Sequence, residues 1–218
     1  MRPIKHTHLK PENIKGKNVK RFRDCHINYL EHDGKMCFVQ TPELVVHAAP
    51  TVHNQQYIMD LEVTCPEFYK TLVAVDERIK EIVGIKHAYW DPIRPADTLG
   101  GNPHLHCRMS TKKGAQPNFG VYQRIGGRYE QRGAEDIKEG SRVVVIMRLH
   151  GILIRKSYFT VLWKIDQVRL AKAVEKPLNE FDAMDFMSNV EVRLDGDCIV
   201  DESDVEVLEA NECVYGDE

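Results

Sequence analysis

The chain has 218 residues, 42% hydrophobic and 29% charged, with a formal net charge of -3. That is enough for one sizeable domain with its own core, and it excludes wholesale disorder and collagen-like or low-complexity composition. The longest apolar run, Val143 to Met147, is five residues, against the roughly 20 that cross a bilayer as a helix.

In chain order, residues 1–18 read as a basic N-terminal arm, loose because Gly16 and Pro11 interrupt it. Strand-like segments follow at Val19 to Tyr29, Lys35 to Gln40, Glu43 to His47 and Tyr57 to Val63, separated by turns at His32-Asp33-Gly34 and Ala49-Pro50. Thr64-Cys65-Pro66-Glu67 has the capping-box pattern, with the Thr64 hydroxyl available to an unpaired N–H. Phe68, Leu72, Val75, Ile79 and Ile82 then recur at three and four, which predicts an amphipathic helix stopped by Gly84. Residues 91–103 hold three prolines and two glycines and read as a long loop.

Strands resume at His104 to Thr111, where Leu105, Cys107 and Met109 alternate with His104, His106 and Arg108. Asn118 to Arg124 precedes a turn at Gly126-Gly127. Arg142 to Ile154 and Tyr158 to Leu170, joined by Arg155-Lys156-Ser157, predict a long hairpin. Phe159, Val161, Trp163 and Ile165 share one face of its second strand, expected to be core, which leaves Tyr158 on the opposite face. A short C-terminal helix is expected around Leu178 to Met187. The fold class is therefore mainly β (α+β): a small closed or partly open β-barrel with an inserted helix, a domain over 19–190 and a mobile acidic tail over 191–218.

The net charge conceals a split. No Lys or Arg follows Arg193, and ten carboxylates lie between Asp195 and Glu218. Removing them leaves 30 basic and 33 - 10 = 23 acidic residues, a net of +7 for residues 1–194. Two basic clusters stand out. Residues 1–23 carry Arg2, Lys5, Lys10, Lys15, Lys17, Lys20, Arg21 and Arg23 against Glu12. Arg108, Lys112, Lys113, Arg124, Arg128 and Arg132 stand against Glu130 and are interleaved with Phe119, Tyr122 and Tyr129. Cations that track a phosphate backbone, with rings on which bases stack, suit sequence-tolerant binding of single strands.

Other chemistry leaves little trace. The sequence has no phosphate loop, dinucleotide fingerprint, nucleophile elbow or HExxH pair. His104 and His106 share a strand face, but no second ligand pair accompanies them, so no metal and no cofactor is expected. Six scattered cysteines without a CxxC pair, and an N-terminus lacking the apolar stretch of a secretory signal, read as reduced thiols in the cytoplasm or nucleus.

The stretch EDIKEGSRVVVIMRL, Glu135 to Leu149, continuing through HGILIRKSYFTVLWKIDQVRL, resembles the OB-fold single-stranded DNA-binding proteins of phages and large eukaryotic DNA viruses. The shared features are a D-I-x-x-G-S/T-x-V-x-x-x-x-R-L lead-in, a closing strand here running Trp163 to Val168, and an acidic terminus ending near an aromatic, here Tyr215. The resemblance covers residues 118–172, and the tail by character only. It implies an OB-fold and a tail that meets replication partners and competes with DNA for the binding groove.

The expected function is thus a non-enzymatic protein that coats and protects single-stranded DNA in viral replication, recombination or repair. Arg108, Lys112, Lys113, Arg124, Arg128, Arg148, Arg155 and Lys156 are the expected phosphate contacts, and Tyr122, Tyr129 and Tyr158 the stacking rings. In the tail, Asp201, Glu202, Asp204, Glu206, Tyr215, Asp217 and Glu218 are the expected partner contacts. The expected partners are single-stranded DNA, RNA as a second ligand, a polymerase or helicase at the tail, and a second copy of the chain. Two rival readings are a virion or scaffold interaction protein with a β-barrel core, and a metal-dependent nuclease using Asp60, Glu62 and Asp91.

Overall fold

A computed structural model describes residues 2–53, 56–84, 88–89, 92–94, 101–112 and 116–171. Its elements are β1 (Ile4–Lys5), β2 (Ile14–Arg21), β3 (Cys25–His32), β4 (Cys37–Gln40), β5 (Leu44–His53), β6 (Gln56–Glu62), α1 (Pro66–Val83), β7 (Ala88–Tyr89) and β8 (Ile93–Arg94). They continue with β9 (His104–Met109), β10 (Thr111–Lys112), β11 (Gln116–Pro117), β12 (Gly120–Ile125), β13 (Arg128–Arg132), β14 (Arg142–Arg155) and β15 (Tyr158–Leu170). Among the described residues no helix is long and apolar enough to cross a membrane.

Five strands close a ring. β14 pairs β5, β5 pairs β6, β6 pairs β9, β9 pairs β15 in parallel, and β15 returns antiparallel to β14. The ring is OB-fold-like, a partly open five-stranded ring held by long ladders on most sides and by short joints at β5–β14 and β9–β15. β3 and β4 extend it from β14, and β12 and β13 extend it from β15. Alternation explains the filling: Leu105, Cys107 and Met109 from β9 enter one core with Val143, Val145, Met147 and Leu149 from β14. Helix α1 adds Phe68, Leu72, Val75 and Ile79 to that core, and full burial of each such side chain contributes about 1.5–3 kcal/mol.

The lead-in to β14 has a local physical logic. Asp136 accepts the Gly133 N–H, Ile137 is buried, and Ser141 Oγ accepts the Lys138 N–H. Gly140 takes φ +78° and donates its N–H to the Val46 carbonyl. A left-handed residue is tolerated there because glycine has no Cβ. The turn therefore delivers β14 beside β5.

Several expectations are corrected. Residues 1–18 do not form a loose arm: β1 pairs β4, and Leu9 and Ile14 are buried in the main core. Val19 to Tyr29 is not one strand but parts of β2 and β3, with Phe22 N–H bonded to the Cys25 carbonyl across the turn. Ala49-Pro50 does not end a strand. β5 runs through it, irregular between Ala48 and Thr51, where proline's missing N–H is tolerated. The 91–103 loop contains β8, which pairs β9. Cys65, not Thr64, is the N-cap of α1, and the Thr64 hydroxyl instead lies 3.5 Å from the Glu43 carbonyl. The C-terminal helix and the tail lie outside the described residues.

Candidate nucleic-acid interface

β14 and β15 form the longest ladder, and its regularity is broken twice. Ile146 faces Gln167 while Met147 faces Ile165, which leaves Asp166 as an extra residue on β15. Leu149 faces Trp163 while Gly151 faces Leu162, which leaves His150 extra on β14. Such bulges re-aim side chains and occur next to functional sites. Arg148 faces Lys164 at the centre of the short register between them.

Cross-strand partners share a face, and from this centre a row extends across five strands on the side away from the main core. Lys164 faces Arg108 on β9, Arg108 faces Ile58 on β6, and Arg148 faces Phe38 on β4. Arg148, Lys164 and Arg108 are thus directly opposite one another. Arg148 is 6% exposed, while Lys164 and Arg108 are half-buried. The Arg148 guanidinium lies 3.2 Å from Asp166 Oδ1 and 5.8 Å from the centre of the Phe38 ring. Ser110 Oγ donates to the same Asp166 oxygen at 2.5 Å, and Arg108 donates to Gln56 Oε1 at 3.3 Å.

His150, 7% exposed, sets its ring edge-on to Tyr29 with centroids 5.3 Å apart. Burial holds its pKa well below the ordinary histidine value, and Lys164, Arg148 and Arg108 push it down further. The imidazole is therefore neutral near pH 7, and the row is the source of a local positive potential.

An aromatic patch adjoins the row. Phe38 and Ile146 are buried together, with Tyr122 and Tyr129 against them. Tyr122 sits on β12 opposite Arg169 of β15. A Cβ on Gly120 would fall 2.7 Å from the Tyr122 hydroxyl, so glycine leaves the space that ring occupies. Tyr129 on β13 faces Arg124, whose guanidinium lies 6.0 Å from the ring centre. Rings held beside arginines combine a stacking surface with positive charge.

Of the residues expected from sequence, Arg108, Tyr122, Arg124, Tyr129 and Arg148 come together here. Arg155, Lys156 and Tyr158 lie at the β14–β15 turn. Tyr158 is six residues along β15 from Lys164, about 20 Å at the rise of an extended strand. A second apolar cluster lies toward that end, with Cys25, Ile27, Leu153 and Leu162 buried beside Phe22 and Tyr29. The exposed cations Lys15, Lys17 and Arg21 lie on β2, the neighbour of β3, so the basic N-terminal cluster borders this second patch. Arg128 is exposed at the β12–β13 turn, and Lys112 is exposed on β10, which pairs β11 in a separate two-stranded sheet. Lys113 and the tail residues Asp201, Glu202, Asp204, Glu206, Tyr215, Asp217 and Glu218 lie outside the described residues.

Sequence reasoning missed Phe38, Lys164 and Arg169. Lys164 carried a signal: it is the cation that interrupts the apolar alternation of β15. Further along β9, His106 Nδ1 lies 2.6 Å from Asp60 Oδ1, and the His104 ring stacks on His47 at 3.6 Å. Asn102 donates to Glu62 at 2.6 Å. Among the described residues no three His, Cys, Asp or Glu side chains converge as metal ligands. Asp91 lies outside the described residues.

No protein-family model matches the chain, and no curated protein sequence matches it. Solved structures similar to it include the single-stranded DNA-binding protein gp2.5 encoded by bacteriophage T7, at 15% identity and TM-score 0.39 over 72% of this chain and 96% of that one. The single-stranded DNA-binding protein of bacteriophage Enc34, in its C-terminally truncated form, is similar at 12% identity and TM-score 0.44, over 78% and 100% of the two chains. The same phage protein in complex with single-stranded DNA is similar at 12% identity and TM-score 0.44, over 77% and 99%.

Proposed function

We propose that this chain is a non-enzymatic single-stranded DNA-binding protein that coats and protects unpaired DNA during viral replication, recombination or repair. The observation that carries the reading is the row Arg108–Lys164–Arg148, in register across three strands and sharing its face with the Phe38, Tyr122 and Tyr129 rings. Like charges directly opposite on neighbouring strands repel, so a sheet that gathers three of them favours an anion on that face. A single strand supplies both phosphates and unpaired bases, and so matches cations and rings together. The patch at Arg155, Lys156 and Tyr158, with β2 beside it, extends the path.

The tail belongs to the same reading. Its ten carboxylates complement the +7 of the remaining chain, and in this proposal it competes with DNA for the cationic face. Displaced, it recruits a polymerase or helicase through Asp201, Glu202, Asp204, Glu206, Tyr215, Asp217 and Glu218.

Fluorescence anisotropy with single- and double-stranded oligonucleotides across a salt series tests this. Single strands are expected to bind more tightly. With about five phosphates neutralised, log K should fall with log salt at a slope of roughly -3.5. Weak, salt-insensitive signals for both ligands would put the scaffold reading in its place. Removing residues 195–218 should tighten binding most at low salt. Unchanged affinity at every salt concentration would remove the tail from the account and leave the binding face standing.

A further inference from the structure

Asp166 stands out on the outward face because it is the residue there that the β14–β15 ladder leaves unpaired. Strict alternation from Ile165 would turn Gln167 inward. The bulge instead places Asp166 as the unpaired extra residue, and Val168 and Leu170 re-enter the main core. The irregularity therefore leaves this outward carboxylate with no β14 residue opposite it, two positions from Lys164, which faces both Arg108 and Arg148.

The carboxylate is also held. Its Oδ1 accepts from Ser110 Oγ and from the Arg148 guanidinium. Its Oδ2 is buried and has no hydrogen-bond partner. A buried carboxylate oxygen without a partner costs free energy, so this orientation is not the one that would best satisfy Asp166 by itself. Nearby cations offset that cost, and the carboxylate in turn screens part of the repulsion among them.

We infer that Asp166 is an affinity-limiting residue: its carboxylate occupies, on Arg148, the position of a phosphate oxygen, and so sets how strongly and how salt-dependently the face grips a polyanion. This deepens the single-stranded DNA reading and rests on it. A strand arriving at Arg148 meets a cation already half neutralised, so one fewer counterion is released than the cations alone would give. The residue acts through Arg148 and the row rather than by touching a base. It makes binding reversible instead of maximal.

The test is anisotropy of the full chain with a labelled oligothymidylate, comparing wild type, Asp166→Asn and Asp166→Glu, with thermal melting alongside. Asp166→Asn keeps the size and the Ser110 contact and removes the charge. It should bind severalfold more tightly at about 50 mM salt, with a salt slope steeper by about 0.7, the increment for one further phosphate on a single strand. Asp166→Glu keeps the charge and should return the wild-type slope. A lower melting temperature with an unchanged slope, or weaker binding by Asp166→Asn, would overturn the inference while wild-type binding keeps the function reading intact. If Asp166→Asn does not fold, Asp166→Ser carries the same expectation. If wild type itself fails to bind, both readings fall.

Discussion

On its inward side the β14–β15 ladder is apolar throughout: Val143, Val145, Met147 and Leu149 meet Phe159, Val161, Trp163 and Ile165 in the main core. On its outward side the same two strands carry Arg148, His150, Lys164, Asp166 and Arg169, between two small apolar clusters. The backbone is common to both, so the difference is in side-chain chemistry and in the two bulges. The inward face secures the fold by burial, which needs only size and apolarity. The outward face gathers like charges that lower stability unless something anionic meets them. That asymmetry is what separates the proposed binding surface from the core, both built on one hairpin.

The largest way to break the comparison is on the inward side. Trp163→Ala should cost about 3–5 kcal/mol of folding stability, the usual range for removing a large buried ring, read as a drop in the denaturant midpoint. The protein that remains folded should bind oligonucleotide as wild type does. A large loss of binding by folded Trp163→Ala would mean that the two faces are not separable.

Tyr129→Ala, on the outward side, should reverse the pattern. Loss of one stacking ring is worth about 1–3 kcal/mol of binding, with melting shifted far less than by Trp163→Ala. Phe38 is a less clean probe, since it is also buried against Ile146. Equal losses for single- and double-stranded ligands would count against stacking, because bases in a duplex are already stacked on one another.

Lys164→Ala sharpens the same comparison more gently. Lys164 is half-buried, whereas Arg148→Ala would also remove the guanidinium that pairs with Asp166. The salt slope should become shallower by about 0.7, with a severalfold loss of affinity at low salt. An unchanged slope would show that this cation meets no phosphate.

How legible were the two faces beforehand? The inward face of β15 was, because the alternation of Phe159, Val161, Trp163 and Ile165 needs only the period of a strand; β14, apolar at every position from Val143 to Met147, was legible as a strand but not by face. The helix was legible from its apolar spacing and from Gly84, whose φ of +72° suits glycine. The outward face was legible in part. Arg108, Tyr122, Arg124, Tyr129 and Arg148 could be proposed from charge and aromatic content, but their joining depends on long-range register. Lys164 faces Arg108 from far along the chain, through a parallel joint that local pattern does not encode. Phe38 lies in β4, which is buried at every position, so alternation of polarity could not assign it a face. The bulges hid the rest, since beyond Asp166 a strict count of two puts Val168 and Leu170 on the wrong side. Leu9 and Ile14 were missed because the residues between them (Lys10, Pro11, Glu12 and Asn13) are mostly polar. Their burial comes from distant elements, with α1 packed against the turns and strand that carry them, not from any local period.

The smallest effect concerns pH and separates the faces without removing a proposed DNA contact. His150 has its pKa lowered by burial first, then by Lys164, Arg148 and Arg108. Its unfolded value is about 6.5. Above that pH the imidazole is neutral in both states and contributes no pH dependence. As pH falls below about 6.5 the unfolded chain takes up a proton that the folded chain refuses, so stability drops until the lowered folded pKa is reached. One such group changes stability by at most about 1.4 kcal/mol per pH unit. His6, also lowered by burial, acts in the same direction. His150→Phe keeps a ring against Tyr29 and removes the titration, so its melting temperature should fall less between pH 7 and pH 5 than that of wild type. An identical fall in both would place the acid sensitivity elsewhere. In that case neither the burial of His150 nor the cations around it would shift its titration measurably.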